Sequence, residues 1–124
     1  MVIMKSRFRK LYFFTKREID WAFQRAHCIS RVPGIKLLQA SGLFEEPEVG
    51  VQPEELVGKI LIIVPGRAGK AYKRNLFRRR AKAIFYENNL FIKPVTSILI
   101  VSSSKALELT YDQLKDFLVV SFNK

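Results

Sequence analysis

Apolar residues along this chain follow two rhythms. From residue 16 to residue 26, Ile19, Ala22, Phe23 and Ala26 recur at i, i+3, i+4 and i+7 while Arg17, Asp20, Gln24 and Arg25 point elsewhere, which is the spacing of one helix face. Thr15 with Glu18 forms a capping box, and Phe14 with Ile19 stands at hydrophobic-staple spacing, so the helix is predicted to start at Lys16. Its end is placed near His27 and Cys28, before Pro33 and Gly34 break the pattern. "IKLLQA", 35–40, reads as a short strand whose hairpin partner is expected to follow it. "VGKILIIV", 57–64, and "TSILIV", 96–101, are continuous and β-branched, as central strands are. The stretch between them predicts a helix over roughly 71–87, giving a βαβ unit with parallel strands. Thr110 with Gln113 is a second capping box and Leu109 with Leu114 a second staple, so Leu114, Phe117 and Leu118 form the apolar stripe of a last helix.

The remaining segments are polar. Residues 41–56 hold Gly42, Pro47, Gly50 and Pro53 with five of the eleven acids, which predicts a long solvated acidic loop. Residues 1–13 place Lys5, Arg7, Arg9 and Lys10 around Phe8 and read as a basic arm. With 124 residues the chain is expected to form a single domain, 1–124. No internal repeat is visible.

Charge changes the picture more than any element does. Lys and Arg number 22 against 11 acids, a formal net charge of +11, which calls for a polyanion or an anionic surface to relieve self-repulsion. The excess is concentrated in "GKAYKRNLFRRRAK", 69–82, and no acid occurs between Glu55 and Glu87. At 100° per residue, Arg74, Asn75, Arg78, Arg79 and Lys82 share one arc, with Tyr72, Leu76, Phe77, Ala83 and Ile84 roughly opposite. Lys73 and Arg80 fall on the apolar side and must run their stems along it. An ordinary solvated helix face interleaves acids with bases; this one does not, so its partner is an external anion, read as nucleic acid. Gly66 and Gly69 would let the first backbone N–H groups approach a phosphate, making one phosphate-binding surface from Arg67 through Lys70 to Lys82.

Candidate active-site motifs do not hold together. "GRAGK", 66–70, has two residues between its glycines and Ala71 after the lysine, unlike a nucleotide-binding loop. Ser102 with Lys105 matches a serine–lysine pair without its companion motifs. His27 beside Cys28 lacks a third orienting group. One cysteine and one histidine cannot make a four-ligand zinc site, and Glu45, Glu46 and Glu48 lack the spacing of a calcium loop. The single cysteine suits a reducing cytoplasm, where the chain is placed. The longest apolar runs fall far short of the ~20 residues that span a bilayer, so no membrane partner is expected.

The segment 69–82 resembles the signature of the protein subunit of bacterial ribonuclease P, a basic Gly-Lys-Ala-x-x-Arg-Asn-x-x-Lys/Arg-Arg helix. Gly69, Lys70, Ala71, Arg74, Asn75, Arg78 and Arg79 match it. Lys82 stands where arginine is usual, and Arg67 matches one of two basic residues ahead of the glycine. "FTKREIDWAFQRA" resembles the family's first helix and "TSILIVSSSKALELTYDQLKDFL" its last strand and helix. Gly66 replaces a basic residue, Pro65 a serine, and Ile19 stands where an aromatic is common. The acidic segment is longer than usual for the family.

The resemblance implies an α+β fold with helices packed on a mixed four-stranded sheet and a left-handed βαβ crossover, against the usual hand. It implies that RNA performs the chemistry. A ribozyme subunit with Mg2+ cleaves precursor tRNA, while the protein, holding no cofactor and needing no obligate protein partner, binds ribonuclease P RNA and the 5′ leader. The expected RNA contacts are Arg67, Lys70, Lys73, Arg74, Asn75, Arg78, Arg79 and Lys82, and a groove between the first helix and the sheet, near the 35–40 strand and with Ile19, Phe23 and Tyr72 as candidates, is expected to hold the leader by stacking and backbone charge. The competing readings are a ribosome-associated or RNA-chaperone protein, separated by activity with ribonuclease P RNA, and a nuclease acting alone, which lacks paired carboxylates or a credible histidine dyad.

Overall fold

Thr15 opens helix α1, Lys16–Arg25, as the spacing predicts: its side chain accepts from the Glu18 N–H, and the Glu18 carboxylate accepts from the Thr15 N–H. The computed structural model describes residues 11–44 and 57–123. After α1 come strands β1, His27–Val32, β2, Ile35–Ser41, and β3, Lys59–Ile63. A 3-10 turn, Gly66–Ala68, leads into helix α2, Ala71–Glu87, and a second, Leu90–Ile92, into strand β4, Val95–Val101. A third, Ser104–Glu108, precedes helix α3, Tyr111–Phe122, whose start carries the predicted capping box of Thr110 and Gln113.

The four strands form one mixed sheet in the order β1-β2-β4-β3. β4 pairs with β2 antiparallel and with β3 parallel, as the βαβ reading requires. The hairpin partner of β2 precedes it rather than follows. β1 pairs back on β2 across Pro33–Gly34, with Val32 opposite Ile35. Gly34 takes φ +89, a conformation costly for any side chain, and a Cβ there would also meet the Ala106 N and Ser103 Oγ at 2.9 Å. α1 therefore stops at Arg25, and His27 and Cys28 lie on a strand, not at a helix end. β1 escaped the pattern because it is a sheet edge. It is exposed at both ends, and its register slips between Cys28 and Ser30, which erases the alternation that marks a strand.

Alternation sorts the sheet into two faces. One presents Ile35, Leu37, Ile60, Leu99 and Val101 to the main core, completed by Phe77, Ala81, Ile84 and Phe85 of α2 and by Leu114, Leu118 and Phe122 of α3. Ser97, fully buried on this face, is satisfied by the Gln39 side chain, which donates to its Oγ at 3.2 Å. The opposite face carries Lys59, Ala40, Thr96 and Ile98 and is covered by α1, which buries Ala22. The ion pair of Glu18 and Lys59, 2.6 Å, ties α1 to the β3 edge. Leu11 is fully buried, Tyr12 packs against α2 and Phe14 lies under the Lys59 ammonium. The rest of the predicted basic arm and most of the acidic loop, residues 1–10 and 45–56, lie outside the described residues.

Candidate nucleic-acid interface

α2 buries Phe77, Ala81, Ile84 and Phe85, a stripe at i, i+4, i+7 and i+8. This is a rotation of the predicted apolar arc. Ala81 and Phe85 replace Ala83 and Tyr72, and Tyr72 is 64% exposed. Seven residues before Arg79, Tyr72 shares its outward face. Periodicity alone counts every apolar residue of the helix, whereas the sheet and α3 select only those that reach the core.

The rotation divides the cations into two kinds. Arg74 and Arg78 flank the buried stripe and are half-buried. The Arg74 Nε donates to the Gly69 carbonyl at 3.1 Å, and Arg78 donates to the Val64 carbonyl at 3.2 Å and to the Asn75 side chain at 3.1 Å. Both arginines thus stitch the 64–70 segment to the helix behind it. Arg67, Lys70, Lys73 and Arg79 are exposed, and Lys82 is half-buried with its ammonium 5.3 Å from the Tyr12 ring centre. Arg80 runs inward as expected, but its head donates to the Leu109 carbonyl at 3.4 Å instead of reaching out. Among the described residues the only ion pair is Glu18–Lys59, so no described acid offsets the α2 cations. α1 and α3 open on capping boxes, while α2 opens at Lys70 with no side-chain cap and no acid in its first turn.

Gly69 has an extended backbone, and a Cβ there would lie 2.7 Å from the Leu107 Cδ1, so a side chain at this position would turn the end of Leu107 aside. A Cβ on Gly66 would meet nothing within 4 Å.

Ile19 and Phe23, four residues apart, share one flank of α1; Ile19 is half-buried and Phe23 44% exposed. α1 and α2 lie on opposite faces of the sheet, so Phe23 and Tyr72 are not two walls over one face. What accompanies Phe23 instead comes from strand register. Arg31, Lys36, Ile100 and Ile63 are successive partners across β1, β2, β4 and β3, and all four stay partly or fully exposed. The parallel row at the other end, Ala40, Thr96 and Lys59, is covered by α1. The open row ends at the C-terminus of β3, where the chain turns into Arg67 and Lys70. Sequence reading pointed to the 35–40 strand beside the first helix but not to this row. Its one local signal was Lys36, a cation between Ile35 and Leu37.

The set-aside motifs find structural places. His27 and Cys28 are neighbours on a strand and point to opposite faces. The Ser103 Oγ accepts from the Lys105 N–H and starts a 3-10 turn. Among the described residues no three His, Cys, Asp or Glu side chains gather as a metal group, and no helix is long and apolar enough to cross a membrane.

The family sequence model described as Ribonuclease P matches residues 35–124. The "Ribonuclease P protein component" of Helicobacter hepaticus is 43% identical over 61 residues, 49% of this chain and 41% of that protein. The protein of the same description from Onion yellows phytoplasma is 37% identical over 59 residues, 48% of this chain and 42% of that one. The chain thus aligns with less than half the length of these curated relatives. The fold is similar to that of a Staphylococcus aureus RNase P protein mutant with defective mRNA degradation activity, with a TM-score of 0.72, 15% identity and coverage of 99% and 95% of the two chains. The RNase P protein from Thermotoga maritima superimposes with a TM-score of 0.66 at 16% identity over 88% of this chain and 92% of that one. The family match spans well over half of the chain and covers the cationic helix together with Lys36, Ile63 and Ile100 of the sheet row, so the chain belongs to the ribonuclease P protein family.

Proposed function

We propose that this chain is the protein subunit of a ribonuclease P holoenzyme, an endoribonuclease that matures the 5′ end of precursor tRNA in the cytoplasm. The observation that carries the reading is the face of α2, where Arg67, Lys70, Lys73, Arg79 and Lys82 stand without an acid partner among the described residues. A packed RNA crowds phosphates together. Cations held on a rigid helix offset that repulsion and release the counterions they replace. Arg74 and Arg78 fix the turn from which the exposed cations project. Such contacts position the RNA without reading its sequence. Tyr72, on the same outward face as Arg79, offers a ring on which an unpaired base can stack.

The open sheet row supplies a second kind of surface. Arg31 and Lys36 provide charge for a single-stranded backbone, while Ile100, Ile63 and the exposed edge of Phe23 provide apolar contact for its bases. We assign the 5′ leader to this face. Hydrolysis belongs to the RNA subunit and its Mg2+ ions, so the protein's part is to bind, align and neutralise.

Lys36→Ala tests the assignment in the assembled holoenzyme. It should weaken binding of precursor tRNA severalfold while leaving mature tRNA binding and assembly with the RNA unchanged. Equal effects on precursor and mature tRNA would remove the leader from this face while sparing the role of α2.

A further inference from the structure

One side chain of α2 reaches back to the open sheet row. Arg78 is half-buried, and its guanidinium donates through one terminal nitrogen to the Val64 carbonyl at 3.2 Å and through the other to the Asn75 side chain at 3.1 Å. Val64 follows Ile63 directly, and Ile63, opposite Ile100, is the last paired residue of β3 and the end of the row. We infer that Arg78 is a positioning residue for the 5′ leader, tying the end of the leader row to the phosphate-contacting face of α2. This rests on the leader and RNA readings of those two surfaces.

Strand geometry and donor count carry it. β3 lies at the sheet edge and pairs with β4 alone, and Pro65 has no N–H with which to continue the ladder. Past Ile63 the backbone therefore takes its hold from outside the sheet, and Arg78 supplies it at Val64. Side chains alternate along a strand, so a rotation of the backbone there would swing Ile63 off the row. A guanidinium carries five N–H donors in one plane. Two serve Val64 and Asn75, and no described acid pairs with the group. A phosphate on α2 can accept from the remaining donors while Val64 stays held. RNA docked on the helix thus steadies the bed of the leader. Lysine, a compact ammonium on a flexible stem, cannot hold carbonyl, amide and phosphate in that fixed geometry.

Arg78→Lys and Arg80→Lys test the inference in the holoenzyme assembled on a bacterial ribonuclease P RNA. Both swaps keep the charge and loosen an arginine–carbonyl bond of α2, but Arg80 bonds Leu109, ahead of α3 and away from the row. Arg78→Lys should weaken precursor tRNA binding about 5-fold, the worth of one hydrogen bond. Mature tRNA binding should stay as it was, and so should the salt slope of assembly, because the charge is kept. The loss should vanish on a precursor whose leader is cut to a single nucleotide. Arg80→Lys should lower the melting temperature comparably and keep the parent's ratio of precursor to mature tRNA affinity. A penalty from Arg78→Lys that is equal for precursor and mature tRNA, an equal change of the ratio in both variants, or no penalty at all overturns the positioning role and leaves the leader face standing. Precursor binding that Lys36→Ala leaves unaltered removes that face and this inference with it.

Discussion

Glu18 joins two levels of structure through one carboxylate: an oxygen accepts from the Thr15 N–H, and the other pairs with Lys59 across the helix–sheet interface. Glu18→Ala should keep the Thr15 cap but lose the reciprocal half of the capping box, about 0.5 kcal/mol, together with a charge-assisted bond to a mostly buried lysine, about 2 kcal/mol. Glu18→Gln should retain both halves of the capping box and lose only part of the second contribution. Denaturant unfolding should rank the parent above Glu18→Gln and that variant above Glu18→Ala, and equal stability of the two variants would contradict this.

Tyr12 makes a comparable link on the other face. Its hydroxyl is pushed well above the ordinary tyrosine range, first by burial and then by Tyr86. A raised folded pKa means that the phenol's contribution is complete below the unfolded value near 10 and is lost as pH climbs from there toward the folded value, because the unfolded chain ionises first. Tyr12→Phe should therefore cost about 1 kcal/mol at pH 7. That deficit should narrow above about pH 10 in paired melts of the two proteins, and a deficit that widens instead would reject the linkage.

At the scale of elements, α2 combines two arginines that fasten its own entrance with cations that face outward. Arg74→Ala with Arg78→Ala should lower the melting temperature as well as RNA affinity, since the Gly69 and Val64 carbonyls lose donors worth about 1 kcal/mol each. Lys73→Ala with Arg79→Ala should leave the melting temperature in place and reduce the salt slope by about 2. Thermal melts beside binding isotherms separate the two pairs. The sequence made the elements with strong local grammar legible: both capping boxes, the β3–α2–β4 unit and the one-signed charge of α2. It hid β1, whose edge position and bulge suppress any alternation. It also misplaced Tyr72, because which residues of a helix reach the core is decided by the partners it packs against. The row from Arg31 to Ile63 had no local signal beyond Lys36. Its four members are far apart in the chain and become neighbours only through three strand registers.

On the scale of the whole molecule, the sheet separates two surfaces. One face supports α2 and α3 and thereby presents the cationic helix; the other, half-covered by α1, leaves the Lys36 row open. The surfaces meet where β3 runs into the turn at Arg67, so one RNA assembly can engage both without any motion of the fold. In the proposed function, neutralisation falls to the first, leader binding to the second, and bond cleavage to the RNA subunit. The direct test is cleavage of precursor tRNA at a magnesium concentration where ribonuclease P RNA alone is nearly inactive, with and without this protein. Adding the protein should restore formation of the mature 5′ end, and the protein without the RNA should cut nothing. Cleavage by the protein alone, or RNA activity that the protein leaves unchanged, would contradict the account.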